Sequence, residues 1–113
     1  MIKKNEVKNK KFLVGIAGYG VVGKRRRAFI DANPHFKTVA VSDIAFDKKE
    51  GVMSDGVKFF NDYKKLFRED LDVLCVCLPN YLASEATIAG LLHGLHVFCE
   101  KPPAFTAADV KEI

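Results

Sequence analysis

In the stretch GYGVVG, Gly18, Gly20 and Gly23 fall at intervals that suit a backbone built to approach a phosphate, and Lys24, Arg25, Arg26 and Arg27 follow directly. The first glycine permits a tight turn. The second leaves no side chain between the main chain and a pyrophosphate, and the third lets a helix lie close on the preceding strand. The helix opening there offers unpaired N–H groups and about half a positive charge to an anion. Asp43 stands about 20 residues beyond Gly23, the spacing of a carboxylate that accepts hydrogen bonds from ribose hydroxyls. These residues predict a dinucleotide crevice formed by Gly18, Tyr19, Gly20, Val21 and Val22, with Asp43 on the adenosine sugar. A carboxylate in that place repels a 2′-phosphate, so the expected cofactor is NAD rather than NADP.

Such a crevice needs strands to carry it. Residues 12–18, FLVGIAG, form a continuous apolar run ending in glycine. Residues 37–43, 57–60, 72–78 and 96–100 read as further strands, and the run DVLCVCL shows no polar alternation. Strands apolar on both faces belong to a parallel sheet covered by helices. Residues 21–33 suit a helix stopped by Asn33 and Pro34. Residues 61–70 suit a short helix capped by Asn61 or Asp62. Residues 80–94 suit a helix with Asn80 as a plausible cap and Gly94 just past its end. Thr106 would cap a last helix. The alternation predicts an α/β, Rossmann-type doubly wound parallel sheet in the order 3-2-1-4-5, incomplete at its C-terminus. Residues 44–56 carry no clear pattern, with room for a short helix.

In that arrangement Leu78, Pro79 and Asn80, at the end of the fourth strand, line the crevice beside the glycine turn. On the first helix Val22 and Phe29 are expected to face the sheet, with Lys24 and Arg27 turned to solvent. Arg25 and Arg26 flank the buried stripe, open to a role at the cofactor or at a neighbouring domain.

The remaining composition bounds the function. The chain has 113 residues with a net charge of +4, much of it in the first eleven, which read as a flexible basic tail ahead of one domain over residues 12–113. The tail lacks the apolar core of a secretory signal, and no run reaches the roughly 18 apolar residues of a membrane span. Cys75, Cys77 and Cys99 lack disulfide or zinc spacing and lie in apolar runs, which suits buried, inert thiols in a reducing cytoplasm. No metal site is expected. The modest charge, without interleaved aromatics or a nucleic-acid motif, argues against DNA or RNA as partner.

The segments GIAGYGVVG, VSD, LPN and GLHVFCEKP, in this order and spacing, resemble the Gfo/Idh/MocA family of glucose–fructose oxidoreductase and inositol dehydrogenase relatives. The resemblance runs over residues 12–113, and Glu-Lys-Pro at residues 100–102 is its specific part. It implies a nicotinamide-binding domain of an NAD(P)-dependent oxidoreductase acting on a sugar, cyclitol or related polyol. Lys101 would match the family lysine near the nicotinamide and the substrate hydroxyl, with Glu100 in the same pocket and a cis bond before Pro102 aiming the lysine. Such a lysine can stabilise negative charge on a substrate oxygen.

Two positions depart from the family pattern: Ala83 and Arg26 stand where relatives often carry histidine. His96 matches a histidine common in relatives and reads as structural, while His35 and His93 read as surface residues. The family's substrate half is not among these residues, and relatives commonly associate as homo-oligomers through it. The 113 residues are therefore expected to bind dinucleotide with little or no turnover. The competing reading is a non-catalytic dinucleotide-binding or sensing module.

Overall fold

The computed structural model describes residues 10–99. Glu100, Lys101, the bond to Pro102, the helix expected from Thr106 and most of the basic tail lie outside the described residues.

Six strands form one sheet: β1 (Phe12–Ala17), β2 (Phe36–Ser42), β3 (Glu50–Val52), β4 (Lys58–Phe60), β5 (Val73–Val76) and β6 (His96–Cys99). Their order is β3-β4-β2-β1-β5-β6. The five strands expected from sequence hold the expected order and are parallel. The sixth, β3, was not expected. It pairs antiparallel with β4 at the edge, in the segment where the sequence left room for a helix. The turn between them is closed by Met53 N–H to Val57 O (2.8 Å) and carries Gly56 at φ 90°. Lacking a side chain, Gly51 lets the Phe59 ring lie directly against its strand.

Helix α1 (Val21–Ala32) connects β1 to β2, and α2 (Asn80–Leu92) connects β5 to β6. Residues Tyr63–Arg68 form a 3-10 helix capped by Asp62, whose side chain accepts the Lys64 N–H at 3.0 Å. Gly94, at φ 77°, follows α2 as expected. Asn80 does not cap that helix. It is the first helical residue, Pro79 holds the cap position, and no side-chain cap bond is made.

The core lies on both faces of the sheet, as the unbroken apolar strands require. On one face Ala17, Ala40, Leu74 and Val76 pack with Leu66, Ala83 and Ala86, so Ala83 is a core residue. On the other, Val14, Ile16, Val41 and Cys75 pack with Val57, with Ile30 and Phe46 against them. Of the three thiols only Cys75 is buried. Cys77, just past β5, and Cys99, the last residue of β6, are half-buried.

Helix α1 is rotated from its expected setting. Val22 is 43% exposed and Phe29 68%, and the residue it buries is Gly23. A side chain at Gly23 would collide with the Gly18 carbonyl oxygen. That close approach fixes the helix so that Gly23, Arg26, Arg27 and Ile30 form the inward stripe at i, i+3, i+4 and i+7. Between α1 and the sheet an open apolar groove of about 570 Å³ remains, lined by Phe12, Phe29, Ile30, Phe36, Val73 and Phe98 among others. His96, expected to be structural, is exposed on its wall. Among the described residues no helix is long and apolar enough to cross a membrane.

Candidate functional site

The carboxyl ends of β1, β2 and β5 meet at Gly18. Its N–H donates to Ser42 O at 2.9 Å, tying the turn to the end of β2. On its other side the chain after β5 presses close: an added side chain would meet the Cys77 carbonyl group and, at 3.2 Å, Leu78 Cδ2. Cys77 N–H in turn donates to Ala17 O at 2.7 Å. Gly18 takes φ 94°, which glycine adopts at no steric cost and other residues rarely do. The turn therefore sits where neighbouring strands lead their connections to opposite sides of the sheet, the place where ligands gather in open α/β folds.

The three glycines have different neighbours. Gly18 and Gly23 are required by the protein's own atoms. Gly20 is not: among the described residues a side chain there would meet nothing within 4 Å, and its φ of −82° is open to any residue. Gly20 is also the cap of α1, with no side-chain cap bond and no acidic residue in the first turn. The leading amides of α1 thus have neither a side-chain cap nor an acidic residue in the first turn to offset their partial positive charge. Val21 is exposed beside them, and Val22 flanks it. Leu78 is half-buried, with Pro79 and Asn80 exposed at the start of α2.

Asp43 comes directly to this turn. Its Oδ2 accepts the Tyr19 N–H at 2.8 Å and its Oδ1 accepts the Ala45 N–H at 2.9 Å. A carboxylate offers about four lone-pair sites, so both oxygens keep acceptor capacity for hydroxyl donors. The structure brings together Gly18, Tyr19, Gly20, Val21, Val22, Asp43 and Leu78 at one end of the sheet, with Pro79 and Asn80 opening the adjacent helix. Glu100 and Lys101 lie outside the described residues.

One side-chain cluster beside the turn was missed in the sequence. Arg27, expected in solvent, keeps its side chain only 17% exposed. Its Nε donates to Asp31 Oδ2 at 3.1 Å, one terminal nitrogen donates to the Tyr19 hydroxyl at 3.0 Å, and the other to Asp55 Oδ2. Burial works against the charge of the guanidinium, but the bonds to Tyr19, Asp55 and Asp31 outweigh it and raise its pKa above the ordinary value. The Val57 N–H, and then Arg27, hold the Asp55 carboxyl below the usual range. The Tyr19 ring stacks on Phe46 (centroids 6.4 Å) and lies 5.8 Å from Lys24 Nζ. The spacing of Arg27 and Asp31 was a readable i, i+4 pair, but nothing local announces Asp55. Lys24 and Arg25 are exposed, and Arg26 is half-buried on the groove wall. His93 is exposed as expected but stacks on Phe67, with centroids 4.2 Å apart.

The large apolar groove is a separate feature. Its lining includes Phe12, Asn33 and Phe36, at the opposite end of the strands from the glycine turn. Among the described residues no group of three or more metal-ligating side chains comes together.

Residues 12–113 match the family model GFO_IDH_MocA, described as an oxidoreductase family with an NAD-binding Rossmann fold. An uncharacterized oxidoreductase, YrbE, of Bacillus subtilis (strain 168) is 30% identical over 106 residues, covering 91% of this chain and 31% of that protein. Inositol 2-dehydrogenase of Salmonella typhimurium is 31% identical over 104 residues, covering 88% and 31%. The crystal structure of scyllo-inositol dehydrogenase from Lactobacillus casei with bound NAD(H) and scyllo-inositol superposes with a TM-score of 0.77. It shares 25% identity and covers 90% of this chain and 31% of that one. The chain thus spans about a third of the length of the relatives it matches.

Proposed function

The chain belongs to the Gfo/Idh/MocA oxidoreductase family and carries its NAD-binding Rossmann domain, and on that premise we propose that it forms the cofactor half of an NAD-dependent enzyme acting on a sugar, cyclitol or related polyol. The observation that carries the reading is Gly20. No atom of the described residues requires a glycine there, yet Gly20 stands at the cap position of α1, next to the Tyr19 amide that holds Asp43. A bridging pyrophosphate accounts for that glycine, for the uncapped helix start and for the acceptor capacity left on Asp43.

In this reading the amides of residues 20–22 bind the pyrophosphate. Asp43 accepts from the adenosine ribose hydroxyls and disfavours a 2′-phosphate, which makes NAD the cofactor over NADP. Leu78, Pro79 and Asn80 border the path towards the nicotinamide. When bound there, NAD supplies the hydride acceptor. Lys101 is the catalytic residue we propose, hydrogen-bonding the substrate oxygen and stabilising the charge that develops on it, with Glu100 beside it. The substrate class follows that of the relatives, among them an inositol 2-dehydrogenase and a scyllo-inositol dehydrogenase. Hydride transfer needs a substrate held in near-attack geometry, which we assign to the part of the relatives' length that this chain does not span.

Calorimetric titration with NAD, NADH, NADP and NADPH tests the assignment. Saturable binding of NAD or NADH, with NADP and NADPH weaker by about tenfold or more, is expected from the cost of placing a phosphate against a carboxylate. Absence of binding to all four, or preference for the phosphorylated pair, would overturn it.

A further inference from the structure

Arg27 is linked to the Asp43 carboxylate through one residue, Tyr19. Its guanidinium is held by two carboxylates, and each is itself fixed to main chain. Asp31 Oδ1 accepts the Thr38 N–H at 2.9 Å, and Asp55 Oδ1 accepts the Val57 N–H at 3.1 Å. Three elements, α1, the start of β2 and the turn before β4, therefore converge on one planar fork. Arg, with its rigid donor geometry, suits such a junction and Lys does not.

From that junction a single bond leads towards the crevice, the 3.0 Å donation to the Tyr19 hydroxyl. Tyr19 acts at both ends. Its ring stacks on Phe46, which packs on Phe59 with centroids 4.9 Å apart. Its backbone N–H donates to Asp43 Oδ2, and Phe46 N–H donates to Asp43 O at 3.2 Å. The Asp43 turn is thus gripped twice by Tyr19, at the carboxylate and, through Phe46, at the main chain. An aspartate side chain has two rotatable bonds. The Tyr19 amide holds one of its oxygens and the Ala45 amide the other, and the two together leave the carboxylate one orientation relative to the glycine turn.

We infer that Arg27, anchored by Asp31 and Asp55, is a positioning residue that acts through Tyr19 to set Asp43, and thereby the affinity for NAD and the discrimination against NADP. The inference rests on the reading of this crevice as an NAD site. It differs from that reading in placing part of the selectivity in a guanidinium with no place in the nucleotide contacts. Its physical content is preorganisation: the carboxylate is held in its binding orientation before a ligand arrives, which removes an ordering cost from binding.

The test uses the 113-residue chain with Tyr19→Phe, which deletes one oxygen, and Arg27→Gln, which deletes the junction. Two measurements are made on each: titration with NAD and NADP, and hydrogen exchange at the Tyr19 amide in the ligand-free protein. We expect NAD to weaken about fivefold in Tyr19→Phe and about tenfold in Arg27→Gln, the scale of one or two lost hydrogen bonds, with NADP changed less, so that the ratio of the two affinities falls. Exchange at the Tyr19 amide should accelerate in both. A purely structural role would lower thermal stability and weaken both nucleotides together. An unchanged affinity ratio in both variants, or Tyr19 amide exchange as slow as in the unsubstituted chain, would overturn the inference. Should the unsubstituted chain bind neither nucleotide, the reading of the crevice falls, and the exchange measurement still decides whether Arg27 holds Tyr19 on Asp43.

Discussion

The two helices flanking the sheet are attached in different ways. Helix α2 is packed into its face: Ala83, Ala86, Thr87 and Gly90 are all buried, and Gly90 lies so close to Leu74 and Val97 that an added Cβ would stand 2.9 Å from each. Helix α1 buries only Gly23. It is held at its start by the contact of Gly23 with the Gly18 carbonyl, and along its length by the polar fork of Arg27. Beside it the sheet keeps an apolar groove, with Phe29 and Phe98 more than half exposed. Among the described residues the α2 side is closely packed, while α1 is set by one backbone contact at Gly23 and by the polar bonds of Arg27.

Substitutions should separate the two helices in graded fashion. The largest loss is expected at the hinge common to both sides. Gly18→Ala forces a Cβ into the Cys77 carbonyl at a positive φ, and should cost about 3 kcal/mol or more in thermal unfolding. Leu74→Ala, beneath α2, should cost about 3 kcal/mol by opening a cavity, whereas Phe29→Ala, on the surface of α1, should cost under about 1 kcal/mol. Equal losses at the two sites would erase the distinction between the faces. Gly20→Ala separates stability from binding on the α1 side. With open space around it, stability should stay within about 0.5 kcal/mol, while NAD affinity falls about tenfold, because the new methyl stands where the pyrophosphate approaches.

The smallest effect is electrostatic and confined to the α1 side. The Asp55 pKa is lower folded than its ordinary value of 3.8, so its contribution is present above that value and is lost as pH falls through the depressed one. The melting temperature of Asp55→Asn should lie slightly below that of the unsubstituted chain near neutrality, and the gap should close as pH falls below 3.8. A gap independent of pH would remove the ion pair from the account.

What the sequence disclosed follows from locality. Gly18 and Gly23 are legible because each marks a place where backbone meets backbone, and the order of the five parallel strands follows from short right-handed connections between unbroken apolar runs. The rotation of α1 was not legible. Val22 and Phe29 are the apolar residues a periodic reading selects, but a contact at Gly23, which has no side chain to weigh, sets the helix about one residue away. The same rotation carries Arg27 inward, towards an Asp55 that only the unforeseen β3 and its turn bring within reach. A cap at Asn80 failed for a related reason: with Pro79 in the cap position, Asn80 is already the first helical residue.

The fastening of Gly18 to Ser42, and of Cys77 to Ala17, has a kinetic corollary. Among the described residues the floor of the crevice is stitched from three strands by main-chain bonds, so none of these strands need open or fold before a dinucleotide is captured. Encounter should then proceed at a rate set by diffusion and orientation, with a single exponential at every ligand concentration, and the lifetime of the complex rather than its rate of formation should carry the differences among variants.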